Sequence, residues 1–524
     1  MNELQQKIVA QALSNPNKIA IQGANSSLDY QSLVNEVERI IRDFGLSASD
    51  PQSFAIIMDN DPAWAVFDLA LLFTHQSAIP LPKFFSIEQL KHALIDSGVE
   101  NLIVDDSVIA NSLIIELQDI IKTEKKITIA NRHLNCYQLE IPSQPLINSD
   151  HTSAVKITYT SGTTSKPKGV VLSENAIISK VVALAEASEA RENDISLSIL
   201  PLSTLLENIG GLYVPLYCGA SVILLPPAQT GISGSSNINP QKLLETIYIH
   251  RPTAFIIIPQ LLQLFINSVE AGYVMPDTIR FIAMGGAPVS KQLLESAEKL
   301  KIPVFEGYGL SEAASVVAVN NFSYHRLGSV GKVLNTHEVH ISEDHEILVK
   351  GQLFNGYLGN KEIDQTGFYA TGDLGHLDKD GFLYVTGRKK NVINTSYGRN
   401  ISPEWIEKEL EACPLIAQCL VYGHAKPYLM AIIVPFSGKN IGNIAEIDYQ
   451  LKIKEFIKHL NDTLPDYARV LATIFSNKPF TIANNQLTGT GRPRRFEIYQ
   501  DYEAKIRNCY DNNLSTHQIH GASQ

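Results

Sequence analysis

Short apolar runs alternate with segments of helical length through the first half of the chain, and this alternation limits the possible folds more than any other feature. Lys18–Gln22, Ser53–Met58, Ser77–Pro80 and Asn101–Val104 read as strands. Residues 3–14 read as a short helix, and helical stretches near 62–74, 87–97 and 108–121 lie between the strands. Segment 29–44 carries Leu33, Val37, Ile40, Ile41 and Phe44 at helical spacing. Strands separated by helices of this length predict an α/β fold built on parallel sheets. The pattern resumes with a helix over 174–190, a strand Ser196–Leu200, a helix near 206–217, and strands Ala220–Leu225, Thr253–Ile258 and Ile279–Met284.

Residues 227–238 are rich in Gly, Ser and small polar side chains and read as a mobile loop or lid. From about 328 to 386 the strands shorten and turn signals such as Asp380-Gly381 multiply, which predicts a small β-rich subdomain. Beyond 390 an α+β pattern begins, with helices at 403–412 and 449–463 and strands near 418–422 and 429–434. The expected organisation is a large N-terminal domain over 1–389, a small mobile C-terminal domain over 390–510, and a disordered polar tail over 511–524. A chain of 524 residues has the length for such subdomains.

Composition excludes several classes. A net charge of −11 argues against non-specific nucleic-acid binding. No apolar run approaches the ~20 residues of a membrane span, and the N-terminus has no basic region followed by an apolar core. The five cysteines form no CxxC pair and no zinc spacing, and read as reduced thiols. A cytoplasmic protein is expected.

The densest chemical signal is the loop Thr160-Ser161-Gly162-Thr163-Thr164-Ser165-Lys166-Pro167-Lys168-Gly169, entered from a largely apolar strand, Ala154 to Tyr159. Gly162 and Gly169 let backbone approach an anion, the hydroxyls donate, and Lys168 brings charge. The loop lacks the second glycine and the Lys-Ser/Thr pair of a Walker A motif, which speaks against a P-loop kinase. A plain polar turn is the alternative; the density of donors favours nucleotide phosphates.

This loop resembles the phosphate-binding signature of the acyl-adenylate-forming superfamily, which includes acyl-CoA synthetases, peptide-synthetase adenylation domains and luciferases. Further family signatures follow in the family's order: Gly307-Tyr308-Gly309-Leu310-Ser311-Glu312, Tyr369-Ala370-Thr371-Gly372-Asp373, Gly387-Arg388-Lys389-Lys390 and Leu487-Thr488-Gly489-Thr490-Gly491-Arg492. The match spans nearly the whole chain. The resemblance implies an AMP-forming acid–thiol ligase using ATP and Mg²⁺, with CoA or the phosphopantetheine of an acyl carrier protein as acceptor. It implies that Glu312 contacts Mg²⁺, a role suited to a carboxylate because Mg²⁺ takes hard oxygen ligands. Tyr308 would face adenine, with core packing as the alternative. Gly286 and Ala287 would border adenine and the acyl group, and Gly309 and Ser311 would complete the nucleotide site. Asp373 and Arg388 would hold the ribose, Lys390 would be the hinge about which the C-terminal domain turns, and Gly398 would enter the site for the thiol half-reaction. Family members usually have Lys where this chain has Arg492. Arginine keeps the charge but offers a planar fork instead of a point charge.

Leu200-Pro201-Leu202 is similar to the family's LPL motif. Thr204, Leu206, Gly210, Gly211, Phe255, Pro259, Ala313 and Ala314 then suggest an apolar acyl pocket, with no acidic residue placed for an amino-acid amine. A fatty or other apolar acid is therefore the expected substrate. A catalytically weak homologue that senses acyl-adenylate or nucleotide is the alternative of another class, supported only by Arg492.

Overall fold

The computed structural model describes residues 1–141, 154–160, 167–233, 237–287, 289–360, 363–364, 366–436, 446–488 and 491–510. Two large sheets organise the N-terminal part. Six strands of the first run parallel, in the spatial order Val304–Leu310, Phe281–Met284, Ala254–Ile257, Ile195–Ser198, Ser221–Leu224, Ile19–Gly23. Antiparallel strands extend this sheet at both edges. The second sheet has a parallel centre made of Ala154–Thr160, Ser77–Pro80, Ser53–Ile57 and Asn101–Val104, again with antiparallel edges. The expected parallel α/β architecture is present as two mixed sheets with parallel interiors.

Alternating side chains assign the layers. In the strand Ser53–Ile57, Phe54 and Ile56 join the central core, while Ala55 and Ile57 join a core under the helices Ile87–Ser97 and Val108–Glu116. In the first sheet Phe255, Ile257 and Leu197 pack outward against the helices Pro240–His250, Pro259–Glu270 and Lys291–Lys299. Helices therefore cover both outer faces and fill the space between the sheets. The helix Pro62–Phe73 lies in that middle layer with Pro62 to Leu72 all buried. Asp61 caps it by accepting from the Ala63 amide at 2.9 Å, and Pro62 occupies the first turn, where no amide donor is required.

A buried ion pair sits in this apolar layer. Lys156, on the strand leading into the phosphate loop, is 1% exposed and lies 2.8 Å from Asp68 of the helix Pro62–Phe73. Asn208 and the Tyr213 hydroxyl complete its shell. Burial alone would expel such a charge; Asp68 pulls the lysine back toward its charged form.

Several local expectations change. The segment 108–121 is α-helical over Val108–Glu116 and 3₁₀-helical over Gln118–Ile120; Ile121–Ile129 then pairs with Arg132–Leu139 as an antiparallel hairpin. Within 227–238, read as a loop, Pro227–Thr230 is a short helix and Ile232–Ser233 pairs with Asn237–Ile238. The small β subdomain is a four-stranded antiparallel sheet, His337–Ile341, Glu346–Gly351, Tyr369–Leu377 and Leu383–Arg388. The C-terminal part packs Pro403–Leu410 and Glu446–Thr463 around a three-stranded sheet. The tail over 511–524 lies outside the described residues.

Candidate active site

The parallel strands of the first sheet end together, and a cavity of about 1460 Å³ opens at and beside those ends. Met284 leads into Gly285, Gly286 and Ala287, whose small side chains leave the sheet end open; Gly286 takes φ +87°, a conformation that suits glycine. The adjacent strand Val304–Leu310 delivers Tyr308, Gly309, Ser311 and Glu312 to the same cavity. A side chain at Gly309 is impossible without movement: its Cβ would stand 1.7 Å from the Ser315 carbonyl oxygen.

The small antiparallel sheet supplies the facing wall. Asp373 and Arg388 are cross-strand partners, and Arg388 Nε lies 2.5 Å from Asp373 Oδ1. Tyr308 donates its hydroxyl to the other Asp373 oxygen at 2.7 Å. Asp373 is 3% exposed, and burial pushes its carboxyl up against the lowering pull of Arg388 and Tyr308. Burial and the Asp373 charge hold the Tyr308 phenol well above its ordinary range, so it remains a donor.

Glu312 also lines the cavity and accepts a hydrogen bond from the Tyr357 hydroxyl at 2.7 Å. Burial and the Glu312 charge raise Tyr357, keeping that proton in place. One carboxylate oxygen is thereby oriented, and the hard anionic donor fits Mg²⁺, which takes carboxylate together with phosphate oxygens. Tyr357 belongs to a two-residue strand paired with Val170 and Val171 beside the phosphate loop, and Lys168 stands 5.4 Å from its ring centre. Thr160 and Lys168 are register partners at the base of that loop, and both line the cavity. Ser161, Gly162, Thr163 and Thr164 lie outside the described residues.

The C-terminal domain closes over the cavity. Arg492 lines it, its Nη2 donates to the Gly286 carbonyl at 3.4 Å, and its charge acts on Asp373. Lys390 sits in a short 3₁₀ turn, Lys389–Asn391, that follows directly from Arg388. Gly398 is not brought to the cavity in this arrangement. It occupies an exposed turn at φ +71°, beside the 77% exposed Tyr397.

Among the expected acyl-pocket residues, Thr204, Leu206 and Pro259 line the cavity, and the Thr204 hydroxyl is spent on the Pro201 carbonyl at 2.7 Å. Gly211 does not line it. The segment Glu207–Tyr213 is a π-helix, whose wider turn presents Gly210 to the cavity and packs Gly211 against Glu207. Ala313 and Ala314 are fully buried in the central core, away from the lining.

The sequence reading passed over three carboxyl or hydroxyl groups here. Glu306, two residues before Tyr308, lines the cavity while 6% exposed; burial pushes it up to about 7, and its Oε2 has no partner among the described residues. Glu207 is fully buried beside the cavity, is pushed up to about 8 by burial, and leaves Oε1 unpartnered. Tyr357 carries no local signal; only its sheet pairing places it. Among the described residues no cluster of three or more His, Cys, Asp or Glu is gathered for a metal ion, and no helix is long and apolar enough to cross a membrane.

Comparison with known proteins agrees with this geometry. The model of the AMP-binding enzyme family matches residues 8–358, and that of the AMP-binding enzyme C-terminal domain matches residues 390–514. A long-chain-fatty-acid–CoA ligase of Mycobacterium bovis is 24% identical, over 86% of each chain. A 2-succinylbenzoate–CoA ligase of Bacillus velezensis is 27% identical, over 80% of this chain and 85% of its own. Among solved structures, the anthranilate CoA ligase AuaEII in complex with anthranoyl-AMP has a TM-score of 0.77 at 18% identity, covering 96% of this chain and 97% of the other. The o-succinylbenzoate CoA synthetase of Bacillus subtilis, bound to its acyl-adenylate, has a TM-score of 0.71 at 23% identity, covering 94% and 97%. The curated relatives are acid–CoA ligases, in keeping with the acid–thiol ligase expected from the motifs. The chain is an enzyme of the AMP-binding, acyl-adenylate-forming family.

Proposed function

We propose that this enzyme activates a fatty or other apolar carboxylic acid with ATP and passes the acyl group to the thiol of CoA. In the first step a carboxylate oxygen attacks the α-phosphorus, an acyl–oxygen–phosphorus bond forms, and pyrophosphate leaves. In the second the thiolate sulfur attacks the acyl carbon and AMP leaves with the carboxylate oxygen.

The observation that carries this reading is the convergence of Tyr308, Asp373, Arg388, Glu312 and Arg492 around the mouth of one cavity whose inner walls are apolar. Asp373 is an acceptor suited to the ribose hydroxyls, with Arg388 fixing its orientation. Tyr308 offers a flat face to adenine, and the unpartnered Glu306 oxygen is an acceptor for its amino group. Lys168 and the loop before it hold phosphate oxygens. Glu312 would hold Mg²⁺, whose charge offsets that of the phosphates. Arg492, above the Gly286 turn, orients the carboxylate and stabilises negative charge as the new bond forms, contributing position and electrostatics without covalent chemistry. Lys390 serves as the pivot that withdraws Arg492 and brings the exposed Gly398 turn inward for thiol transfer.

The oxygen balance supplies a test. Acid labelled with heavy oxygen in its carboxylate delivers one labelled atom to AMP and none to pyrophosphate. Label that stays wholly in the acyl product contradicts the adenylate route. Acyl transfer to a carrier-protein phosphopantetheine, with none to CoA, would replace the acceptor but leave the first step intact.

A further inference from the structure

The cavity runs well past its mouth, and an ion pair lines its far end. One wall is the inner face of the first sheet. Ala254 and Ala283 stand on central strands, where side chains are normally covered, yet both keep accessible surface because the cavity runs over them. The other wall is a helical stripe, Leu206, Gly210 and Val214, spaced four apart. A Cβ at Gly210 would meet the tip of Ile256, Cδ1, at 2.9 Å, so the helix approaches the sheet closely there.

At the opposite end lie the residues that begin three neighbouring strands, Asp194, Thr253 and Arg280. Arg280 Nε donates to Asp194 Oδ1 at 2.7 Å, and the Thr253 hydroxyl donates to the same oxygen at 2.8 Å. The remaining Arg280 donors reach the other Asp194 oxygen, the Ser188 carbonyl at 3.3 Å and the Glu189 carbonyl at 3.0 Å. A fully engaged, part-buried ion pair is costly to displace by a methyl group. It is a rigid floor.

We propose that the Arg280–Asp194 pair is the chain-length stop of the acyl site, and that the substrate is a straight-chain, medium-length fatty acid. This rests on the acyl-activating reading above. From Gly285 to Arg280 is five residues of strand, about 17 Å at about 3.3 Å per residue. At ordinary bond lengths that spans a chain of roughly ten to fourteen carbons. Small side chains, Ala254 and Ala283, line the sheet wall. The pair spends its charge internally, so the floor suits an apolar terminus.

The test is kcat/KM for pyrophosphate release by the full-length enzyme with saturated acids from butanoic to octadecanoic, with benzoic acid and a dicarboxylate of matching length. The expected optimum lies at decanoic to tetradecanoic acid. Ala254→Leu fills the channel one residue above the floor and raises the hexanoic-to-dodecanoic ratio by about tenfold or more. Arg280→Met opens the floor and moves the optimum to longer acids. Ala283→Leu repeats the narrowing should Ala254→Leu fail to fold. An optimum unmoved by a folded narrowing variant overturns the stop, as does a preference for benzoic acid or the dicarboxylate. Those results leave adenylation standing, whereas silence with every acid overturns the parent reading instead.

Discussion

Arg492 reaches across from the C-terminal domain to the Gly286 carbonyl at 3.4 Å, so a cation rests on the turn that ends a central strand of the first sheet. In this closure Arg492 lines the same cavity as Tyr308, Glu312 and Asp373. Arg492→Ala is expected to slow acid-dependent pyrophosphate release by about 10²-fold, the scale of losing one preorganised charge-stabilising donor. Arg492→Lys keeps the charge and loses the fork, and falls between the two. Thioester formation from preformed acyl-AMP is expected to survive in both variants, which rapid-quench assays of each half-reaction resolve.

Asp373 is the shared partner of Tyr308 and Arg388. Asp373→Ala leaves both without their acceptor and removes the proposed ribose contact, so the KM for ATP rises by about tenfold or more. Tyr308→Phe deletes one hydrogen bond, worth about 1 kcal/mol, and raises it less than about tenfold. Equal effects from the two variants would contradict Asp373 as the centre of the group.

Glu207 gives a pH signature. Its ordinary value is 4.5, and burial raises it to about 8 in the folded protein. Between those values the folded carboxyl holds a proton that the unfolded chain has released, so this group's contribution to stability falls as pH rises through that window. Glu207→Gln removes the loss. The variant should gain stability relative to the parent between pH 5 and pH 8, read by denaturant unfolding at each pH. The comparison isolates Glu207, because the buried Glu306 acts with the same sign in both proteins.

Asp68 and Lys156 form a buried pair in the middle layer. Asp68→Ala leaves the buried Lys156 charge with only the neutral Asn208 and Tyr213 as partners and should cost about 3–5 kcal/mol. Replacing both partners with apolar residues should cost less than that, because no charge is then left unpaired.

Much of this was legible in the chain. The strands Ser77–Pro80 and Asn101–Val104 fall where their apolar runs placed them, since short buried strands flanked by helices carry their own signal. The hairpin Ile121–Ile129 with Arg132–Leu139 was not, because the apolar run before it continues a helical pattern and its polar exposed strand has no local hallmark. At the site, Tyr308, Glu312 and Asp373 sit on motifs and line one cavity. Tyr357 and Glu306 depend on pairing and burial that only the assembled sheets create. Of the two glycines expected in the cavity wall, Gly210 lines it and Gly211 does not, because a π-helix turns the face, and no spacing rule for an α-helix anticipates that.

The most direct test of the central claim is to incubate the purified enzyme with ATP, Mg²⁺ and dodecanoic acid, with and without CoA, and follow pyrophosphate and acyl products by mass spectrometry. The account predicts acid-dependent pyrophosphate with enzyme-bound acyl-AMP when CoA is absent, and acyl-CoA with free AMP when it is present. ATP binding without pyrophosphate release, across this acid and a panel of others, would contradict it.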